Sequence, residues 1–322
     1  AGLLPVGRKD GLIVALLGLA IAVVWRRRPM HQAAVVALAL AATVLPGDSA
    51  VKSSAVRSFF GVLRVQETAD GDVRFLVHGT TTHGAQRFKD KLGRTIERPI
   101  PASYYHPKGP MARSLALLDG PRRVGIVGLG AGAMACYARP NDDWKLYEID
   151  PAVVQIAHDP AKFTFLSTCL PTAPVIIGDA RLTLAAEPAK RFDYLLIDAF
   201  SSDSIPVHLM TVEGLKLYMD KVGPSGLLAL HISNRHLDLA PVLAATLQEL
   251  AGVQGVLVRN QQLEGGLDAS SSIVVLLTRN PDLLAKASSW PDAQPLKPSG
   301  VAAWTDDYSD LLSAIWRGRR AY

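Results

Sequence analysis

The sequence predicts a doubly wound, mostly parallel α/β sheet, with a small β-rich unit before it and a membrane helical hairpin at its N-terminal end. Three observations point there. From Arg122 onward short apolar strands alternate with helical stretches. A glycine-rich turn follows the first of those strands. Acidic residues then fall at the ends of three successive strands, where open α/β sheets bind their ligands.

The hairpin comes first. Gly11–Trp25 and Ala33–Pro46 are apolar runs free of charge, separated by Arg26-Arg27-Arg28-Pro29. Each is shorter than the roughly 20 residues that span a bilayer comfortably. The pair with its basic turn still reads as a membrane hairpin over residues 1–50, with attachment through 11–46; a buried soluble hairpin and a signal peptide are the alternatives. The expected location is the inner (cytoplasmic) membrane, with the large domain on the cytoplasmic side. The positive-inside rule conflicts with this, because it puts the three arginines in the cytoplasm and both hairpin ends outside. The start at Ala1 without Met suggests a piece of something longer.

Charge is concentrated in the same region. Of 34 basic and 29 acidic residues, five and two lie in residues 1–50, which leaves 29 against 27 in the rest. A near-neutral body without Lys/Arg runs argues against a nucleic-acid partner. The two cysteines, Cys136 and Cys169, sit in no CxxC or Cys/His cluster, so neither a disulfide framework nor a zinc site is expected and a reducing compartment fits. His78 and His83 lack a carboxylate or Cys at ligand spacing, and no metal is expected.

Residues 48–58 are polar and read as a linker. Phe59–Glu67 and Val73–His78 read as strands around the turn Ala69-Asp70-Gly71-Asp72, within a small β-rich domain over 51–105. The domain 106–322 carries the alternating pattern, with strands expected at Val124–Val127, Lys145–Ile149, Val175–Ile177, Tyr194–Ile197 and Leu227–Ile232, closed by Gly255–Val258 and Ser272–Thr278.

The turn after the first strand is Gly128-Leu129-Gly130-Ala131-Gly132, a G-x-G-x-G pattern rather than the G-x-G-x-x-G of dinucleotide folds. That form is typical of S-adenosylmethionine-binding domains, and a helix is expected directly after it, its amides facing the ligand. Glu148 follows Gly128 by 20 residues and suits the ribose hydroxyls; Asp179, beside Ala180, suits the adenine amino group; Asp198 ends the fourth strand. Any one of these acids could be a helix cap, but three beside a glycine loop are harder to explain that way.

From about Gly61 to Tyr308 the chain resembles the spermidine synthase (polyamine aminopropyltransferase) family, in particular its bacterial membrane-fused branch. The likeness rests on His78-Gly79 with Gln86, Tyr104-Tyr105-His106, the glycine loop, Tyr147-Glu148-Ile149-Asp150-Pro151, Gly178-Asp179-Ala180-Arg181, Asp198-Ala199-Phe200-Ser201-Ser202-Asp203, His231-Ile232-Ser233-Asn234-Arg235 and Trp304-Thr305-Asp306-Asp307-Tyr308. It implies a Rossmann-like S-adenosylmethionine-dependent transferase fold and a homodimer. It also implies that Gln86, Glu148 and Asp179 hold the nucleoside, that Tyr105 and His106 line the amine site, and that Asp198 opens the catalytic loop. Two departures stand out. The family's loop carries an aspartate where this chain has Ala131, which would let intact S-adenosylmethionine in. The usual base position is Ser201, and the next aspartate is Asp203, which either serves as base or caps a helix near Pro206.

The implied reaction displaces a neutral thioether by an amine, which must lose its proton from a pKa of about 10. Asp198, Asp203 and Tyr105 are the expected catalytic residues; His106, Ser201 and His208 are expected near the substrate. Three functions remain open: aminopropyl transfer to a small amine from decarboxylated S-adenosylmethionine or a related donor; methyl transfer or intramolecular breakdown of intact S-adenosylmethionine; and a nucleoside-sensing module on a membrane protein.

Overall fold

A computed structural model of the chain describes Met30, Ala33 and residues 53–321, apart from 91, 201–205, 235, 262–267 and 298–299. The chain divides into two compact units, Ala1–Val51 and Lys52–Tyr322. The expected membrane hairpin lies outside the described residues. Among the described residues no helix is long and apolar enough to cross a membrane.

The second unit begins with an antiparallel sheet of four strands in chain order: β1 (Ser53–Ser58), β2 (Gly61–Glu67), β3 (Val73–His78) and β4 (Thr81–Arg87). The linker expected over 48–58 is therefore corrected at its C-terminal end. Residues 53–58 pair with β2 along their whole length, and their polarity is that of an exposed edge strand. Phe59 and Phe60 form the turn, and the Ser58 hydroxyl donates to Asp150 Oδ2 at 2.5 Å, tying this hairpin to the larger sheet. Leu63, Val65 and Leu76 are buried in one cluster with Val124, Ile126 and Leu196, so both sheets share a core.

The larger sheet has eight strands in the order β12-β10-β11-β9-β8-β5-β6-β7. They are β5 (Arg123–Val127), β6 (Asp143–Glu148), β7 (Val175–Ile177), β8 (Phe192–Ile197), β9 (Val222–His231), β10 (Gln254–Asn260), β11 (Ser272–Thr278) and β12 (Ala293–Pro295). The five from β9 to β7 are parallel, whereas β11, β10 and β12 pair antiparallel, which makes the sheet mixed. The parallel strands read as unbroken apolar runs, Leu195-Leu196-Ile197 and Leu227-Leu228-Ala229-Leu230, because both faces are covered. Helices Pro151–His158 and Ala180–Ala185 start on Asp150 and Asp179, whose carboxylates accept backbone N–H groups of the first turn.

Two expectations are corrected around the glycine loop. The segment after it, Ala133–Tyr137, is a 3₁₀ turn rather than an α-helix; Pro140 follows closely and disfavours continued helical backbone before it. Cys136 in that turn is disulfide-bonded to Cys169 at the end of helix Phe165–Cys169. The sequence separation of 33 between the cysteines concealed the pairing, since packing of two distant segments brings their Cα atoms to 4.8 Å. The basis for expecting a reducing compartment goes with it.

Candidate active site

The carboxyl ends of β5, β6, β7 and β8 open onto a cavity of about 200 Å³, roofed by the small sheet through Leu63, Leu76, His78 and His83. Its geometry begins with the glycine loop. Gly128 (φ +91°) and Gly130 (φ +53°) take left-handed backbone that a side chain would strain. A Cβ at Gly128 would strike the Asp198 carbonyl oxygen, and one at Gly130 the His83 carbonyl oxygen. The loop is thus wedged between β8 and β4, with its backbone against the cavity.

At one end of the cavity stand Glu148, Asp150, Asp179 and Ala180. Glu148 Oε2 accepts the Leu129 N–H at 2.9 Å, and Oε1 accepts those of Ile149 and Asp150 at 2.8 and 3.0 Å. Burial pushes the Glu148 pKa up in spite of these bonds. Asp179 Oδ1 caps its helix, and Oδ2 pairs with His208 Nε2 at 3.0 Å. Asp179 is therefore the cap that the sequence allowed as well as a cavity residue.

At the other end Asp198 follows β8. The Tyr105 hydroxyl donates to its Oδ2, and His231 Nδ1 lies 2.6 Å from its Oδ1. Burial first, then the Asp198 charge, push the phenol of Tyr105 well above its ordinary value, so it stays a donor. Tyr104 stacks on the His231 ring at 5.0 Å, and Phe200 meets that ring edge-on at 5.1 Å. Tyr104, Tyr105, Asp198 and Phe200 all line the cavity.

The structure thus gathers Tyr105, Gly128, Gly130, Glu148, Asp179, Ala180, Asp198 and His208 around one space. Three expected residues stand apart. Gln86 is locked on Thr164, donating to Oγ1 at 2.6 Å and accepting its N–H at 2.9 Å. His106 is buried 3.3 Å from Asn260 Oδ1, and burial lowers its pKa. Gly132 packs on Leu166. Ser201 and Asp203 lie outside the described residues. Ala131 is fully buried with its side chain against Gly84, away from the cavity. Tyr104 and His231 were given no role by the sequence, although both lie in motifs it singled out.

This mixed sheet, with acids lining a cavity at its strand ends and an antiparallel sheet ahead of it, is a Rossmann-like α/β fold. No family model matches the chain. A polyamine aminopropyltransferase of Vibrio vulnificus is 34% identical over 113 residues, which is 34% of this chain and 36% of that relative. A probable spermidine synthase from Corynebacterium glutamicum superposes with a TM-score of 0.56 at 17% identity, covering 81% of this chain and 98% of that one. Spermidine synthase from Thermotoga maritima gives 0.46 at 14% identity, over 82% and 84% of the two chains. The chain is similar to these proteins, and the sequence match spans about a third of the curated relative's length.

Proposed function

We propose that the chain transfers an aminopropyl group from decarboxylated S-adenosylmethionine to a small amine, releasing methylthioadenosine. The carrying observation is the sign of the cavity. Glu148, Asp150, Asp179 and Asp198 line it, and among its described lining residues there is no Lys or Arg. Such a space suits a donor carrying a sulfonium and an ammonium, and an amine that arrives protonated. Intact S-adenosylmethionine would bring a further carboxylate into it. Charge thus favours the decarboxylated donor, whereas Ala131, whose side chain faces Gly84, bears on the choice only by lacking an acid.

In the proposed step an N–H bond of the substrate ammonium breaks, and its proton passes to the Asp198 carboxylate. The freed nitrogen pair forms a bond to the carbon beside sulfur. The C–S bond breaks, its electrons neutralise the sulfonium, and a neutral thioether leaves without needing an acid. Tyr104, Tyr105 and Phe200 exclude water from that end. Asp203 is the alternative base.

Mass spectrometry of products from decarboxylated and intact S-adenosylmethionine, each with and without putrescine, tests this. Methylthioadenosine and spermidine formed only from the decarboxylated donor with putrescine is the expected result. S-adenosylhomocysteine, or turnover of the intact donor alone, would overturn it in favour of the second use of the cofactor; binding without turnover would indicate a sensor.

The same reading attaches the chain to a membrane through residues 11–46, with this unit on the cytoplasmic side where its donor is made. Protease added to intact spheroplasts should then leave the unit whole, and digestion without lysis would place it outside.

A further inference from the structure

His231 and Ser233 line no part of the cavity at Asp198, yet they are bonded to it in series. His231 Nδ1 is 2.6 Å from Asp198 Oδ1, and His231 Nε2 is 2.7 Å from Ser233 Oγ. Ser233 Oγ in turn accepts the Ile273 N–H at 2.8 Å. Ser233 lines a second cavity of about 460 Å³ with Asn260 and Ser272. The ring, with 7% of its side chain exposed, is held between Tyr104 and Phe200.

For an ionised carboxylate and a neutral imidazole, hydrogen-bond accounting places the protons. A backbone N–H can only donate, so Ser233 accepts from Ile273 and has its single hydroxyl proton left to give. An ionised carboxylate can only accept, so a neutral imidazole beside it must carry its proton on Nδ1. Nε2 is then an acceptor, and Ser233 O–H is the donor in reach. Every bond in the series points toward Asp198: Ile273 N–H to Ser233, Ser233 O–H to His231, His231 N–H to Asp198, with Tyr105 O–H arriving from the other side.

Resting on the transfer reading above, we propose that His231 and Ser233 are positioning residues for the proton-accepting carboxylate: Ser233 sets the tautomer of His231, and His231 holds Asp198 aimed at the amine. Neither residue touches the substrate. Donors to a carboxylate favour its charged form, and groups behind a reacting group are worth roughly 10- to 100-fold when lost.

Two substitutions at one position separate this role from mere packing. His231→Asn leaves an amide N–H near the place of Nδ1, while His231→Gln leaves one near Nε2 and none for Asp198. We expect kcat for spermidine formation to fall on the order of 10- to 100-fold in His231→Gln and about tenfold in Ser233→Ala. His231→Asn should fall less than Ser233→Ala. KM for putrescine should stay within about threefold throughout, since these residues do not bind it. The acid limb of the kcat profile should move to higher pH in His231→Gln. Besides His231, the titrating groups around Asp198 are Tyr104 and Tyr105 from the turn Ser103–Tyr105, Tyr194 on its own strand, and, lining the same cavity, Glu148, Asp150, Asp179, His78, His83 and His208. Equal losses in the Asn and Gln variants, or an unmoved acid limb, would overturn the proposal.

Nitrogen NMR of the wild-type imidazole needs neither turnover nor a variant. A proton on Nδ1 with Nε2 bare supports the series, and a proton on Nε2, alone or together with one on Nδ1, contradicts it. If wild-type protein makes no spermidine, the transfer reading falls while this measurement still decides the tautomer.

Discussion

The two ends of the cavity are built differently. At the end proposed for the nucleoside the backbone supplies the shape: Gly128 and Gly130 expose main chain, and Glu148 is fixed by three backbone N–H groups. At the end proposed for the amine, side chains from three separate segments, Tyr105, Asp198, and His231 with Ser233, are bonded in series. A backbone site is local in sequence and tolerates change around it. A side-chain series is non-local, and its parts depend on one another.

That contrast orders what substitutions should do. The largest effect belongs to the amine end. Asp198→Asn keeps the shape but removes the proton acceptor, and turnover should drop on the order of 1000-fold, measured as spermidine formed under saturating substrates. Persisting activity would move the base to Asp203.

Next comes the disulfide in the turn that follows the glycine loop. Cys136→Ser opens the bond to Cys169 across 33 residues and should cost about 3 kcal/mol of stability in denaturant unfolding, with reductant doing the same to the wild type. An unchanged midpoint would mean that packing alone holds these segments.

Glu148→Gln should be smaller, about 1–3 kcal/mol, because one amide hydrogen must face a backbone N–H now accepted by a carboxylate oxygen. Methylthioadenosine affinity should fall with it in calorimetry. The pH dependence follows from the raised pKa. A buried carboxyl with a folded pKa above the ordinary 4.5 gives its share of stability fully below that value and loses it as pH rises through the raised one. Nucleoside affinity, which needs the ionised form, should run the other way and weaken as pH falls through that same raised value. Affinity flat across this range would remove Glu148 from the site.

The smallest effect is expected at His208. It pairs with the one Asp179 oxygen that the helix cap leaves over, and its side chain is half exposed. His208→Ala should raise methylthioadenosine affinity by no more than about threefold, since exposed pairs are weak and the adenine amino group gains that oxygen. A large loss would make His208 a ligand in its own right.

The same contrast explains what the sequence made legible. The glycine loop, Glu148, Asp179 and Asp198 each announce themselves by position at a strand end, and the strands are plain in their apolar runs. Gln86 and His106 were placed by resemblance, and the fold turned them to Thr164 and Asn260 instead. Ser53–Ser58 looked like a linker because an edge strand shows water the same polar residues a linker does. The Cys136–Cys169 bond and the Ser233–His231–Asp198 series depend on segments that meet only after folding, and no local pattern marks them.

The most direct test is the single-turnover rate of wild type and Asp198→Asn with decarboxylated S-adenosylmethionine and putrescine, followed from pH 7 toward the amine's own pKa of about 10. If Asp198 takes the proton, the deficit of the variant should shrink steadily as solvent deprotonates the amine. A deficit that stays constant across that range would show that Asp198 shapes the site without accepting the proton.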